Sequence, residues 1–265
     1  KSEMEKMASL QEERFHSNII RLLHYFDEKK CSPVIVMEYQ RGRSLTHLLS
    51  QVKLLPKRKV FLVLEGVCQG LNFMHKTYNM LHLDLKPLNI LLAASPLSES
   101  KEVKISDLGI AEILKQSNSL DRESSRTPGY SAPEQWEAGA IPSFATDIFA
   151  LGVIAWEILS GEHPVADKRQ YIDPIRRFPD NFHPDLVRVL RTATSYEQKE
   201  RYQSVDEFWT ALQAAPWPPD TCPYVGLAPQ EDSSLFFGRD PLIRQAVDKL
   251  NQPEVLQARR WLTII

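Results

Sequence analysis

Three things are missing from this sequence. No apolar run in its 265 residues approaches the roughly 20 needed to span a bilayer. No strong charge excess is present: the formal net charge is −2, which gives no basic field for nucleic acid or an anionic membrane. Paired cysteines are missing too. Cys31, Cys68 and Cys222 are an odd number, widely spaced and without a CxxC pair, which favours reduced core thiols in a cytoplasmic setting over disulfides or zinc. Internal repeats, low-complexity tracts and a signal peptide are also lacking. What remains is a soluble globular composition, 43% hydrophobic and 25% charged. The chain opens on Lys1 and closes on the apolar run WLTII, so both ends are expected to be cuts.

The most informative stretch is LHLDLKPLNILL, residues 81–92. It sets Asp84, Lys86 and Asn89 inside an otherwise apolar run. Burying a carboxylate and an ammonium without partners is costly, so these groups either pair with each other or face a cleft. Around this stretch the periodicities predict a charged helix over 3–13 and strands over 17–26 and 31–39. A helix is expected over 42–49 with Ser44 as N-cap, and an amphipathic one over 60–76. Residues 89–93 and 103–107 read as a hairpin. A helix apolar on all sides spans 146–160 and stops at Gly161. Two further amphipathic helices follow over 184–193 and 204–212. APWPPDTCPY (215–224) carries four prolines in ten residues and reads as a stiff spacer. The boundaries predicted are one domain over 1–213, a linker over 214–222 and a second unit from 223 to 265.

HLDLKPLN (82–89) has the spacing H-x-D-x-x-x-x-N of a protein-kinase catalytic loop. ISDLG (105–109), SAPEQ (131–135), TDIFALG (146–152) and Arg201 follow in the order of the other kinase signatures, over about 120 residues. The chain therefore resembles eukaryotic-type serine/threonine protein kinases over residues 1–213. The resemblance implies an α+β fold, mostly the helical C-lobe with a remnant of the N-lobe, and the cofactors ATP and Mg²⁺. It implies Asp84 as the group that accepts the substrate hydroxyl proton. Lys86 would neutralise the γ-phosphoryl, and Asn89 and Asp107 would be Mg²⁺ ligands. Thr127 would stand beside Asp84 and Lys86. Met37 is expected as gatekeeper or plain core, the backbones of Glu38 and Gln40 against adenine, and Leu91 as the pocket floor. His82, Asp147 and the Glu134–Arg201 pair would be structural. Glu3 stands where a helix glutamate pairs with the phosphate-binding lysine, or is a solvated-face residue.

Two departures matter. Leu83 replaces the arginine that receives an activation-segment phosphate in many kinases. The glycine-rich loop and its lysine are absent from the polypeptide, which is expected to bind ATP weakly. The tail, 223–265, resembles the opening of a STAND-type NTPase. There Phe236, Phe237, Gly238, Arg239 and Asp240 would form an adenine-contacting motif, and Trp261–Ile265 the strand before a P-loop. Its alternative is a strand-turn-helix with no nucleotide role, with Phe236 and Phe237 docked on the kinase. The implied activity is transfer of the γ-phosphoryl of Mg·ATP to Ser or Thr hydroxyls of a protein substrate, within a multidomain signalling protein. The rival readings are a pseudokinase scaffold, or a sensor lobe regulating the fused NTPase through an intramolecular contact. Because Leu83 offers no cation to a phosphate, replacing Ser124 and Ser125 with Ala in the intact protein should leave phosphate incorporation in place; loss of turnover would contradict this.

Overall fold

The structure, a computed structural model, describes residues 14–26, 34–52, 54–93, 97–108 and 126–218. The chain divides into one compact unit over Lys1–Pro219 and a second over Asp220–Ile265. The expected helix over 3–13, Glu3, Gly109, Ser124, Ser125, Phe236–Asp240 and the strand at Trp261–Ile265 lie outside the described residues.

Among the described residues five strands form two small antiparallel sheets. In the first, β1 (Leu22–Phe26) pairs with β2 (Val34–Met37). In the second, β3 (Arg43–Ser44), β4 (Ile90–Leu92) and β5 (Val103–Ile105) lie in that order. The hairpin expected over 89–107 is the β4–β5 pair. The first strand is shorter than the apolar run 17–26 because Asn18 breaks it: its Nδ2 donates to the carbonyls of Ser100 and Val103 at 2.6 and 2.7 Å. Those bonds, with Ile105 N–H on the Asn18 carbonyl at 2.8 Å, sew the entry strand to β5.

Helix α1 (Leu45–Gln51) starts at Ser44, whose Oγ accepts from His47 N at 3.4 Å. Arg43 and Ser44 themselves belong to β3, so the helix begins later than periodicity suggests. Helix α2 (Lys57–Phe73) follows Pro56 and buries Val60, Leu64, Val67 and Leu71 on one stripe. At Gly70 a β-carbon would come within 2.7 Å of the Asn18 carbonyl; a larger residue would push β5 off α2. The helix runs on into a π-turn over Met74–Tyr78, a widening common at functional sites. Helix α3 (Phe144–Ser160) is buried on nearly every side and is capped by Gly161. Its Phe149 and Trp156 are almost fully enclosed, each stabilising by ~1.5–3 kcal/mol through apolar burial. Helices α4 (Pro184–Ala193) and α5 (Val205–Ala214) complete the lobe. Beyond α5, Ala215 is buried and the Trp217 ring lies 5.9 Å from that of Phe61. Among the described residues no helix is long and apolar enough to cross a membrane.

One ion pair braces this lobe. Arg201 is buried, and Glu134 meets it bidentately with both contacts at 2.8 Å. The remaining guanidinium donors go to the carbonyls of Ser195, Ala145 and Tyr196, so all five N–H groups are used. Burial opposes ionisation of Glu134, yet the Arg201 bonds and the Thr146 hydroxyl hold its carboxyl below the usual range. Arg201→Ala would strand that carboxylate. It should cost about 3–5 kcal/mol in denaturant unfolding, and a loss under ~1 kcal/mol would contradict the pairing.

Candidate active site

The strand β4, the loop before it and the turn after β5 bring the polar residues of 81–92 together with Asp107. At the centre lies the Asp147 carboxylate, 1% exposed in the first turns of α3. It accepts three donors: His82 N–H at 2.8 Å, Leu83 N–H at 2.8 Å and the His75 ring at 2.7 Å. The loop over 82–84 is thereby hung from the most buried helix of the lobe. Leu83 takes φ 64°, a left-handed conformation that costs a Cβ-bearing residue about 1–2 kcal/mol. The Asp147 bond and a bond from Gln135 Nε2 to the Leu83 carbonyl at 2.8 Å hold it there.

Asp84 and Lys86 pair with each other at 2.7 Å and are both partly exposed. They also share a third group. Thr127 Oγ1 donates to Asp84 Oδ1 at 2.5 Å and accepts from Lys86 Nζ at 3.0 Å. Asn89, 1% exposed, donates its Nδ2 to the Asp84 carbonyl at 2.8 Å and to Oδ2 at 3.3 Å. The donor end of its amide is thus spent on Asp84, which leaves the oxygen end as an acceptor. Ser106 N–H donates to the Asn89 carbonyl at 2.8 Å, and buried His82 contacts the Ser106 carbonyl through Nε2 at 3.0 Å. Those two bonds fasten Asp107 beside the loop. Asp107 takes φ 56° and is exposed, while Leu108 after it is buried in the core. The amide oxygen of Asn89 and the carboxylate of Asp107 are hard oxygen donors on joined segments, a set that suits Mg²⁺ completed by water and phosphate oxygens.

The strip after β2 is held as firmly. Glu38 exchanges main-chain contact with Arg21 at 2.9 Å, and its Oε1 accepts from Arg21 N–H at 2.8 Å and Lys104 Nζ at 2.7 Å. Leu91 lies opposite Lys104 across β4–β5. Met37 ends β2 and Gln40 follows in extended chain, its Nε2 buried without a hydrogen-bond partner. At Gly42 a β-carbon would fall 1.3 Å from the Leu92 carbonyl; only glycine lets the strip lie flat on β4.

Residues unassigned from sequence alone also enter. His75 reaches Asp147 from the π-turn. Tyr130, after Thr127, donates to Glu157 Oε2 at 2.7 Å, and His163 Nδ1 meets Glu157 Oε1 at 2.8 Å. Tyr130 directly precedes SAPEQ, but its partner is 27 residues away, and spacing alone does not reveal it.

A sequence profile of the protein kinase domain family matches residues 1–214. The chain belongs to the protein kinase family. Among its relatives, serine/threonine-protein kinase PknB of Mycobacterium leprae (strain TN) is 29% identical over 257 residues, covering 88% of this chain and 39% of that protein. Myosin light chain kinase family member 4 of Homo sapiens is 36% identical over 165 residues, 62% of this chain and 41% of that protein. The chain thus spans about two fifths of these relatives' length. The crystal structure of the Mycobacterium tuberculosis PknI kinase domain has the same fold, with a TM-score of 0.61 at 24% identity over 80% of this chain and 77% of that one. Kinase-like α+β architecture is therefore what the lobe has.

Burial pushes the Glu157 carboxyl up, with Tyr130 and His163 only partly opposing it. A carboxyl raised in the folded state binds its proton more tightly there than in the unfolded chain. Its contribution is fully favourable below the unfolded value, about pH 4.3, and is lost as pH rises through the folded one. Glu157→Gln keeps an acceptor for Tyr130 and offers an amide to His163 without a titrating proton. Its melting temperature relative to the unmodified protein should rise between pH 4.5 and neutrality; a pH-independent difference would contradict the shift.

Proposed function

We propose that this chain is the larger lobe of an active serine/threonine protein kinase, carried in a multidomain cytoplasmic signalling protein. The supporting observation is the hydroxyl of Thr127, held between the Asp84 carboxylate and the Lys86 ammonium. A site that already binds one alcohol with a base and a cation suits a Ser or Thr hydroxyl of a protein substrate. Asp84 orients that hydroxyl and takes its proton as the oxygen bonds to the γ-phosphorus. The bond from that phosphorus to the β–γ bridging oxygen breaks, and ADP leaves. Lys86 balances charge on the transferred group. Asn89 and Asp107 hold the metal, which when bound screens the phosphate charges. Met37, the main chain of Glu38 and Gln40, and Leu91 receive the adenine. Glu3 is the candidate for the helix glutamate that pairs with a phosphate-binding lysine, and His82, Asp147, Glu134 and Arg201 hold the frame.

The tail belongs to the same reading. Phe236, Phe237, Gly238, Arg239 and Asp240 are the adenine-contacting motif at the opening of a STAND-type NTPase module. A pseudokinase scaffold is disfavoured by the retention of Asp84, Lys86, Asn89 and Asp107 together. The deciding experiment is Asp84→Asn in the full-length protein with radiolabelled ATP. Incorporation should fall by at least about 10²-fold, the usual scale for a lost general base, with the circular dichroism spectrum unchanged. Incorporation near the unmodified level would leave the scaffold reading standing instead.

A further inference from the structure

Leu83 stands where the resemblance places an arginine. Both main-chain polar groups of this residue are taken by side chains: its N–H by Asp147, its carbonyl by Gln135 Nε2 at 2.8 Å. Gln135 lies 52 residues away, in the turn Pro133–Gln135. The oxygen of the same amide accepts the Ala132 N–H at 2.9 Å. Ala132 adjoins Ser131, whose Oγ accepts from Thr127 N–H at 2.9 Å and whose own N–H donates to the Thr127 carbonyl at 3.0 Å. Thr127 donates to Asp84, the next residue after Leu83. A closed circuit therefore runs through Asp84, Leu83, Gln135, Ala132, Ser131 and Thr127, and among the described residues Gln135 is its side-chain link between the loop peptide and the 131–135 turn.

We propose that Gln135 is a positioning residue of the phosphotransfer site. Its amide locks the left-handed Leu83 peptide that aims Asp84, and locks the Ala132 turn that carries Thr127, with no phosphate required. This rests on the kinase reading above and names the device by which that site is set. The chemistry demands an amide: one end must donate to Leu83 and the other accept from Ala132. A carboxylate only accepts, and an ammonium or guanidinium only donates. Both bonds are between neutral groups, so the staple is insensitive to ionic strength, unlike a phosphate–arginine contact.

The test uses the full-length protein with Gln135→Glu, Gln135→Ala and the double variant Gln135→Ala, Leu83→Gly. Gln135→Glu keeps the acceptor on Ala132 and removes the donor to Leu83. It should lower kcat about tenfold, the scale of one lost hydrogen bond, while KM for ATP stays within about twofold. Glycine enters the left-handed region freely, so Leu83→Gly should restore about threefold of the kcat lost in Gln135→Ala. Equal kcat for Gln135→Glu and the unmodified protein overturns the proposal. So does a fall in kcat that merely follows a fall in folded fraction, read by thermal melting, with no rescue by Leu83→Gly. If the unmodified protein incorporates no phosphate, the kinase reading fails separately. Hydrogen exchange at Leu83 and Asp84 then decides: faster exchange in Gln135→Glu supports the staple, and unchanged exchange overturns it.

Discussion

A single buried carboxylate organises this lobe. Asp147 takes the main-chain N–H groups of His82 and Leu83 and one imidazole, all at 2.7–2.8 Å. A carboxyl group at 1% exposure is tolerable only when its oxygens are hydrogen-bonded, and here both oxygens accept. The loop cannot shift without uncovering that charge, so its conformation inherits the rigidity of α3. Everything downstream of it, from the strained Leu83 peptide to the placing of Asp84, is referenced to this one point. The apolar leucines that flank the polar triplet do the complementary work by seating Leu85 and Ile90 in the core.

A second layer of polar bonds converts that fixed loop into a shaped site. Ser106 and His82 join the Asp107 segment to it. Thr127 joins the segment 127–135, and the Glu134–Arg201 pair fastens the far end of that segment to the lobe. The Ser106, His82 and Glu134–Arg201 links are buried with satisfied partners, the condition under which polar networks rigidify and do not destabilise. Tyr130 and Glu157 add a tie from the same segment to α3.

Sequence patterns reveal the parts of this arrangement that depend on local chemistry. The all-apolar helix over 146–160, the amphipathic stripe of α2, the Ser44 cap and the 184–193 helix follow from periodicity and capping. The polar triplet was readable because its spacing is short and shared across a family. What pattern does not reveal is long-range pairing. His75 with Asp147 is 72 residues apart, Gln135 with Leu83 is 52, and Asn18 with Val103 is 85. The strand expected over 17–26 starts only at Leu22, since Asn18 bonds β5. Gln135 had one indirect signal, the missing arginine at 83, which leaves the loop in need of another support.

The lobe does not finish where its last helix does. Trp217 Nε1 donates to the Leu212 carbonyl at 2.7 Å, capping an orphan acceptor of α5, and its ring meets Phe61 on α2. The opening of the proline-rich stretch is therefore pegged to the same helix whose other end delivers His75 to Asp147. Anything covalently attached beyond Pro218 hangs from a nail and not from a loose thread. The leash length available to a tail is counted from that nail, three residues later than the end of the helix alone would allow.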